Sequence, residues 1–373
     1  MKYVLLSLFL VTQFTLQSQD IEFRSNDRLV LGGTKDKSAS ISTGDIDGDG
    51  DIDVVVANGR HWPEPNRLFF NNGFGIFTVS RLLDDISETS YATELADFDN
   101  DGDLDIAVGN DMAPNAIYMN DGAGNFTRAS SFGNPYSPTR NLKTVDIDGD
   151  GDIDILITNR GQENEICLNN GKGQFSEILK FGSEDDSTID VEVADMDRDG
   201  DQDLVLANRD KQQNYVYLND GHLKFNQRIA FGTGSDETRA VGVVDFDKNG
   251  YLDIITANIG EPNVIYFGSE KMDYSRKVVF DSSSGNSYAL DIGDIDNNKT
   301  IDIVIGNSEE PNKVFLNFEN GNSWKEITLK NEELDTYDII LTDLNNDKRL
   351  DIIESNSDEI NKYYINLLIT KKK

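Results

Sequence analysis

Apolar residues in this chain fall in short runs, alternating or nearly continuous, and never at helical spacing over a long stretch. Val191-Glu-Val193 and Leu290-Asp-Ile292 alternate with period two, and Ile153-Asp-Ile-Leu-Ile157 is almost continuous. Such runs, rich in Ile, Val, Tyr and Phe and broken by Gly and Asn turns, predict β-hairpins. No amphipathic helix competes after residue 19. The pattern also recurs. Each unit predicts an apolar strand, an acidic turn, a second strand, a third strand such as Ala116-Ile-Tyr-Met119, and a Gly turn leading to a fourth strand that carries an aromatic residue.

The acidic turn sets the period. Asp45-Ile-Asp-Gly-Asp-Gly-Asp-Ile-Asp53 carries Asp at positions one, three, five and nine and Gly at six. Alternate carboxylates in a tight loop can converge on one point, and the Gly supplies the positive φ of the turn. This is the front half of the acidic calcium-loop pattern, with Asp at position nine in place of a distant Glu. Seven copies begin at Asp45, Asp97, Asp146, Asp195, Asp245, Asp294 and Asp343, separated by 52, 49, 49, 50, 49 and 49 residues. Five residues after each loop stands Asn58, Asn110, Asn159, Asn208, Asn258, Asn307 or Asn356. A second Asn (Asn66, Asn115, Asn164, Asn214, Asn263, Asn312, Asn361) opens the third strand, and Phe77, Phe126, Phe175, Phe225, Tyr274 or Trp324 marks the fourth.

Four short strands repeated at this period are what β-propeller blades require. The last unit ends soon after its third strand, while Ile21-Glu-Phe23 precedes the first loop by 22 residues. The aromatics of the other units precede the next loop by 19 or 20. The expected fold is therefore an all-β, seven-bladed β-propeller of four-stranded blades spanning residues 20–373, its ring closed by the N-terminal strand completing the last blade. A linear β-solenoid would not need that permutation.

Residues 1–19 read as a signal peptide: Lys2, apolar Tyr3–Val11, then polar Thr15–Gln19, too short to span a bilayer. A secreted, periplasmic or cell-surface protein without a transmembrane segment is expected. Its 34 basic and 68 acidic residues give a net charge of −34, which argues against nucleic acid or anionic membranes as partners. Cys167 is the sole cysteine, so no intramolecular disulfide staples the chain. It stands where other units have Phe69, Tyr118, Tyr217, Tyr266, Phe315 and Tyr364, and so reads as a buried core thiol.

Ala96-Asp-Phe-Asp-Asn-Asp-Gly-Asp-Leu-Asp-Ile-Ala-Val108, with Asn120-Asp-Gly-Ala-Gly-Asn-Phe126 after it, resembles an FG-GAP/VCBS repeat of the kind that forms the seven-bladed head of integrin α subunits. Phe-Gly pairs occur at Phe132, Phe181 and Phe231, although the literal FG-GAP string does not. The resemblance implies Ca2+ in the hairpin loop between first and second strands, at up to seven sites. Transferred position by position, the side chains are Asp45, Asp47, Asp49 and Asp53; Asp97, Asp99, Asp101 and Asp105; Asp146, Asp148, Asp150 and Asp154; and Asp195, Asp197, Asp199 and Asp203. The later loops give Asp245, Asp247, Asn249 and Asp253; Asp294, Asp296, Asn298 and Asp302; and Asp343, Asn345, Asp347 and Asp351. Backbone carbonyls at position seven come from Asp51, Asp103, Asp152, Asp201, Tyr251, Thr300 and Arg349. Oxygen-only ligation suits calcium. Loops six and seven should bind more weakly, since each has one carboxylate fewer than the first four and Lys299 or Lys348 in place of Gly.

The opposite face, built from the loops between second and third strands and between blades, is the expected ligand surface. The first unit has its longest insertion there, Gly59-Arg-His-Trp-Pro-Glu-Pro65, making Arg60, His61 and Trp62 candidate contacts, with Arg160 and Arg209 extending the patch. The first strands should line a central channel with Ser42, Glu94, Lys143, Glu192, Gly242, Asp291 and Ile340. His61 and His222 are the only histidines, which excludes a multi-histidine metal site, and no catalytic residues are assigned. The expectation is a monomeric, calcium-stabilised module that binds an extracellular glycan or protein. The alternatives are a polysaccharide lyase or hydrolase on the same scaffold, and a purely structural repeat domain.

Overall fold

The computed structural model describes residues 21–369 except 319, 322 and 331. The expected signal peptide lies outside the described residues. Among those described there is no helix; the chain is all strand and turn. Units one to five each form a four-stranded antiparallel sheet in sequence order, unit three for instance from Thr139–Val145, Asp154–Asn159, Asn164–Leu168 and Glu177–Phe181. In units six and seven the strands Ser287–Gly293, Asp302–Glu310, Lys313–Phe318 and Ser323–Thr328 meet Leu334–Thr342, Asp351–Asn356 and Lys362–Leu368. The pairs Ser308 with Asp335 and Glu310 with Leu334 merge them into one eight-stranded sheet. Its eighth strand is Ile21–Arg24, antiparallel to Lys362–Leu368 with Ile21 opposite Leu368 and Arg24 opposite Ile365. The first strand in sequence thus completes the last sheet, as expected from the spacing of Phe23.

Second strands such as Asp154–Asn159 and Asp203–Asn208 are buried along their whole length, because sheets pack on both faces of each. The core lies between neighbouring units: Phe98, Ile117, Phe132, Ile155, Cys167 and Phe175 form one such cluster. Cys167 is buried there, and burial pushes its thiol pKa upward. The aromatics expected within fourth strands sit just before them in four units: Phe77, Phe175, Phe225 and Tyr274 precede strands that begin at Val79, Glu177, Gln227 and Lys277. They act as plugs at the turn, Phe175 packing edge-on to Phe98 at 5.7 Å.

The two Asn columns join the sheets. In unit four the Thr188 hydroxyl donates to Asn208 Oδ1 at 2.9 Å, and Asn214 Oδ1 accepts the Asn208 N–H at 2.7 Å. Asn214 Nδ2 then donates 2.8 Å to Thr238 Oγ1, the first strand of unit five. Equivalent inter-unit bonds run from Asn66 to Ser90, Asn164 to Thr188, Asn263 to Ser287 and Asn312 to Thr336. The series returns to its beginning when Asn361 Nδ2 donates to Ser38 Oγ at 2.9 Å. These amides are buried, so removing one strands its partners without water. Asn214→Ala is expected to cost about 2–4 kcal/mol in equilibrium denaturation. A loss below about 0.5 kcal/mol, the usual range of surface substitutions, would show that the column is not a staple.

Candidate ligand face and metal loops

The acidic loops converge as the alternation requires. Asp45, Asp47 and Asp53 bring carboxylate oxygens within 4.8 Å of one another, and Asp97, Asp99 and Asp101; Asp146, Asp148 and Asp154; Asp195, Asp197 and Asp199; and Asp245, Asp247 and Asp253 do likewise. Backbone N–H groups fix them. Asp49 and Gly50 donate to the two oxygens of Asp45 at 3.1 and 3.0 Å, and Asp51 donates to Asp49 at 3.0 Å. Position nine is buried at the base: Asp53 accepts from Ile46 at 3.2 Å and from Asn71 at 2.8 Å. Burial lifts these carboxyls to about 7 at Asp53, Asp154, Asp302 and Asp351, and to about 6 at Asp105, Asp203 and Asp253.

Several of these clusters could hold a metal ion. Asp47 Oδ1, Asp99 Oδ1 and Asp294 Oδ1 are buried without a hydrogen-bond partner among the described residues, and a bound cation supplies one. Position six is left-handed in every loop, including Lys299 at φ 71° and Lys348 at φ 65°. So is position four, where non-glycine residues such as Arg198 and Lys248 adopt φ 70° and 60°. Spacing alone did not reveal that second turn. Two loops have a carboxylate paired with a cation: Arg349, within loop seven, pairs with Asp347, and Arg276, just before the fourth strand of unit five, pairs with Asp247 of loop five.

The loops are also tied to their neighbours. The turn amide Asn120 Nδ2 donates to the Ile46 carbonyl in the first loop at 2.8 Å, Asn169 to Phe98 at 2.8 Å, and Asn71 to Leu344 at 2.8 Å. Each Gly turn abuts the acidic loop of its own unit: a Cβ on Gly73, Gly122 or Gly171 would lie 2.5–2.6 Å from a carboxylate oxygen of Asp51, Asp103 or Asp152. Both hairpin ends therefore share one face.

On the other face, Arg60, His61, Arg160 and Arg209 line a single cavity of about 170 Å³. Trp62 does not line it. The Trp62 N–H bonds the Gly59 carbonyl at 3.1 Å, with Gly59 and His61 left-handed, and this tight turn leaves Trp62 67% exposed. His61 instead meets the Tyr91 hydroxyl at 3.0 Å through Nδ1.

The remaining cavity residues were not singled out by the sequence: Tyr91, Arg140, Ile189, Arg239, Tyr288 and Tyr337. Each stands one residue after a Ser or Thr at or near the start of a first strand, where the pairing register slips by one. That β-bulge frees the side chain from the sheet's alternation and aims it into the channel. The signal was a column read across units rather than along one. Below this tier, Glu94, Lys143, Glu192, Asp291 and Ile340 line a second cavity of about 260 Å³, as expected of the channel. Of the other two channel candidates, Ser42 bonds Thr93 at 2.9 Å, and a Cβ on Gly242 would meet Leu290 at 2.9 Å.

The family model for FG-GAP-like repeats matches residues 45–108, 97–157, 146–206, 195–256 and 245–305. The chain belongs to the FG-GAP-like repeat family. No curated protein sequence matches this FG-GAP-like chain. Among solved structures it is similar to two crystal structures of BBS1N in complex with ARL6DN. Their identities are 11% and 13% and their TM-scores 0.64 and 0.61, covering 94% of this chain and 98% and 97% of theirs. It is also similar to the WD40 domain of Toxoplasma gondii coronin (10% identity, TM-score 0.58, 95% and 88% covered). An Agrocybe aegerita lectin that recognises non-reducing terminal N-acetylglucosamine aligns at 18% identity and TM-score 0.55, over 80% of this chain and 81% of the lectin. At such identities the likeness speaks for the fold alone, and that fold is a β-propeller.

Proposed function

We propose that this chain is an exported, calcium-binding module whose seven units are the blades of one closed ring, and that it binds an extracellular glycan or protein on the face opposite the acidic loops. The observation that carries the reading is the cavity where side chains from all seven units converge: Arg60 and His61 from unit one, Tyr91 from two, Arg140 and Arg160 from three, Arg209 from four, Arg239 from five, Tyr288 from six and Tyr337 from seven. A purely structural repeat has no use for guanidinium groups and tyrosines gathered at a channel mouth in a chain of net charge −34. Arg and Tyr are the residues that dominate binding hot spots. The lectin relative supports a glycan as the ligand, and the export signal at residues 1–19 supports an extracellular setting. Among the described residues no helix is long and apolar enough to cross a membrane.

A polysaccharide-active enzyme is the second reading, favoured by the Tyr91–His61 contact at 3.0 Å beside these guanidinium groups. A glycan and matrix-protein array, probed in calcium and again in chelator, tests both. Calcium-dependent capture that Tyr337→Ala abolishes is the expected result. Release of shortened chains from a captured glycan would favour the enzyme, and no capture by folded protein would leave only the structural role.

A further inference from the structure

The channel is layered by charge along its axis. In the upper tier stand Arg60, Arg140, Arg160, Arg209 and Arg239, among Tyr91, Tyr288 and Tyr337. Three residues further along the same first strands come Glu94, Lys143 and Asp291, a step of roughly 10 Å at strand rise. Glu192 stands at the same step, while Asp190 and Asp338, one residue after Ile189 and Tyr337, stand between the two tiers. The lower tier is acidic on balance. Lys143 is held by Glu192 at 2.8 Å, while Asp190, Asp291 and Asp338 accept inter-unit backbone N–H bonds from Val241, Leu341 and Ile41 at 2.9, 2.8 and 2.8 Å.

The upper-tier cations are unequally engaged. Arg160 is closed bidentately on Asp210, and Arg140 pairs with Asp111 at 2.9 Å. Among the described residues Arg209 pairs with Glu237 alone, at 3.8 Å, and its buried Nε has no hydrogen-bond partner. Arg60 lies 3.6 Å over the Tyr337 ring and bonds its hydroxyl and Ser357, with no carboxylate partner among the described residues. Arg239 has no ion-pair partner among the described residues and sits 5.8 Å from the Tyr288 ring centre. Its burial depresses the guanidinium pKa against the nearby charges of Asp190 and Asp338.

We infer that this mouth holds a carboxylate-bearing sugar, its acid group on Arg60, Arg209 and Arg239, its ring against Tyr288 and Tyr337, and its hydroxyls donating to the carboxylates below. The inference rests on the binding reading above and adds the class of ligand. An anion stops at the upper tier, because the next is lined by carboxylates. A bare phosphate or sulfate leaves both the tyrosine faces and the lower tier unused. An acidic peptide side chain reaches the arginines but brings no hydroxyls to the acceptors beneath. A uronic acid residue supplies all three.

The test is calorimetric titration of the full chain, in calcium, with short oligomers of galacturonate, glucuronate and mannuronate. Methyl-esterified galacturonate, inorganic sulfate and an Asp-rich peptide serve as comparators. At least one uronate oligomer should bind, at least tenfold tighter than the esterified form, and Arg239→Gln should weaken it tenfold or more with melting temperature and calcium uptake unchanged. Arg60→Gln, on a surface loop, gives the same readout should Arg239→Gln fold poorly. No uronate binding, binding indifferent to esterification or to both substitutions, or equal binding of sulfate or the peptide would overturn the assignment. Capture of a neutral glycan or a protein on the array, lost in Tyr337→Ala, would then leave the binding face standing without its acidic ligand. No capture of any kind would remove both.

Discussion

Chelating calcium should lower the melting temperature of this protein by about 20–40 °C, and added magnesium should not restore it. Each ion that binds the folded but not the unfolded chain contributes about 2.7 kcal/mol at a hundredfold excess over its dissociation constant. Four loops with full carboxylate sets therefore contribute on the order of 10 kcal/mol, against roughly 2–4 °C per kcal/mol for large domains. The sign follows from the sites themselves. Without a cation, Asp45, Asp47 and Asp53 crowd their oxygens within 4.8 Å, and burial together with the neighbouring Asp49 already pushes Asp47 above the usual carboxylate range. Magnesium demands a tighter octahedron and dehydrates reluctantly, so a flexible oxygen loop discriminates against it. Asp148→Ala, in saturating calcium, should reproduce part of the loss by emptying one site. Thermal melts by circular dichroism in calcium and in chelator give the answer, and superimposable curves would mean that the loops are acidic turns without an ion.

Most of the architecture was legible because repetition multiplies weak signals. One Asp-rich turn is ambiguous, but seven at a near-constant period, each preceded and followed by period-two apolar runs, leave few alternatives. The closing strand was legible for the same reason, since Phe23 falls close to the aromatic phase of the other units. The Asn columns were visible as letters, yet their work was not. That Asn361 reaches Ser38 across the ring depends on sheet-to-sheet geometry no single unit contains. At the candidate site, Arg60 was singled out by the long insertion Gly59–Pro65, and Arg160 and Arg209 because each follows the conspicuous Asn. The tyrosines and Arg239 were missed because a bulge overrides alternation, so period-two reading assigns them no face. Trp62 stands exposed outside the cavity: the long insertion marked the loop, but the left-handed turn at Gly59 and His61 decides which side chains face the channel.

A variant beginning at Ser25 should lose about 5 kcal/mol of stability and aggregate. The strand Ile21–Arg24 contributes Ile21 and Phe23 to the cluster built on Tyr364, Ile352 and Ile339, and burying two such side chains stabilises by about 1.5–3 kcal/mol each. Without it, Lys362–Leu368 becomes an open edge, a template for pairing with another chain. Closure is not lost entirely. Leu31 N–H still bonds the Asn361 carbonyl at 2.9 Å, Tyr363 bonds Leu29 at 3.2 Å, and Asn361 keeps Ser38. The variant is therefore expected to retain its β-sheet dichroism at low temperature while melting early and forming oligomers. A synthetic peptide covering residues 21–24 and a few flanking residues, added in trans, should raise the melting temperature and dissolve the oligomers by refilling the edge. If the shortened chain instead melts with the full-length protein, unit seven is complete without the borrowed strand, and the ring is held shut by the Leu31 and Tyr363 backbone bonds together with Asn361–Ser38.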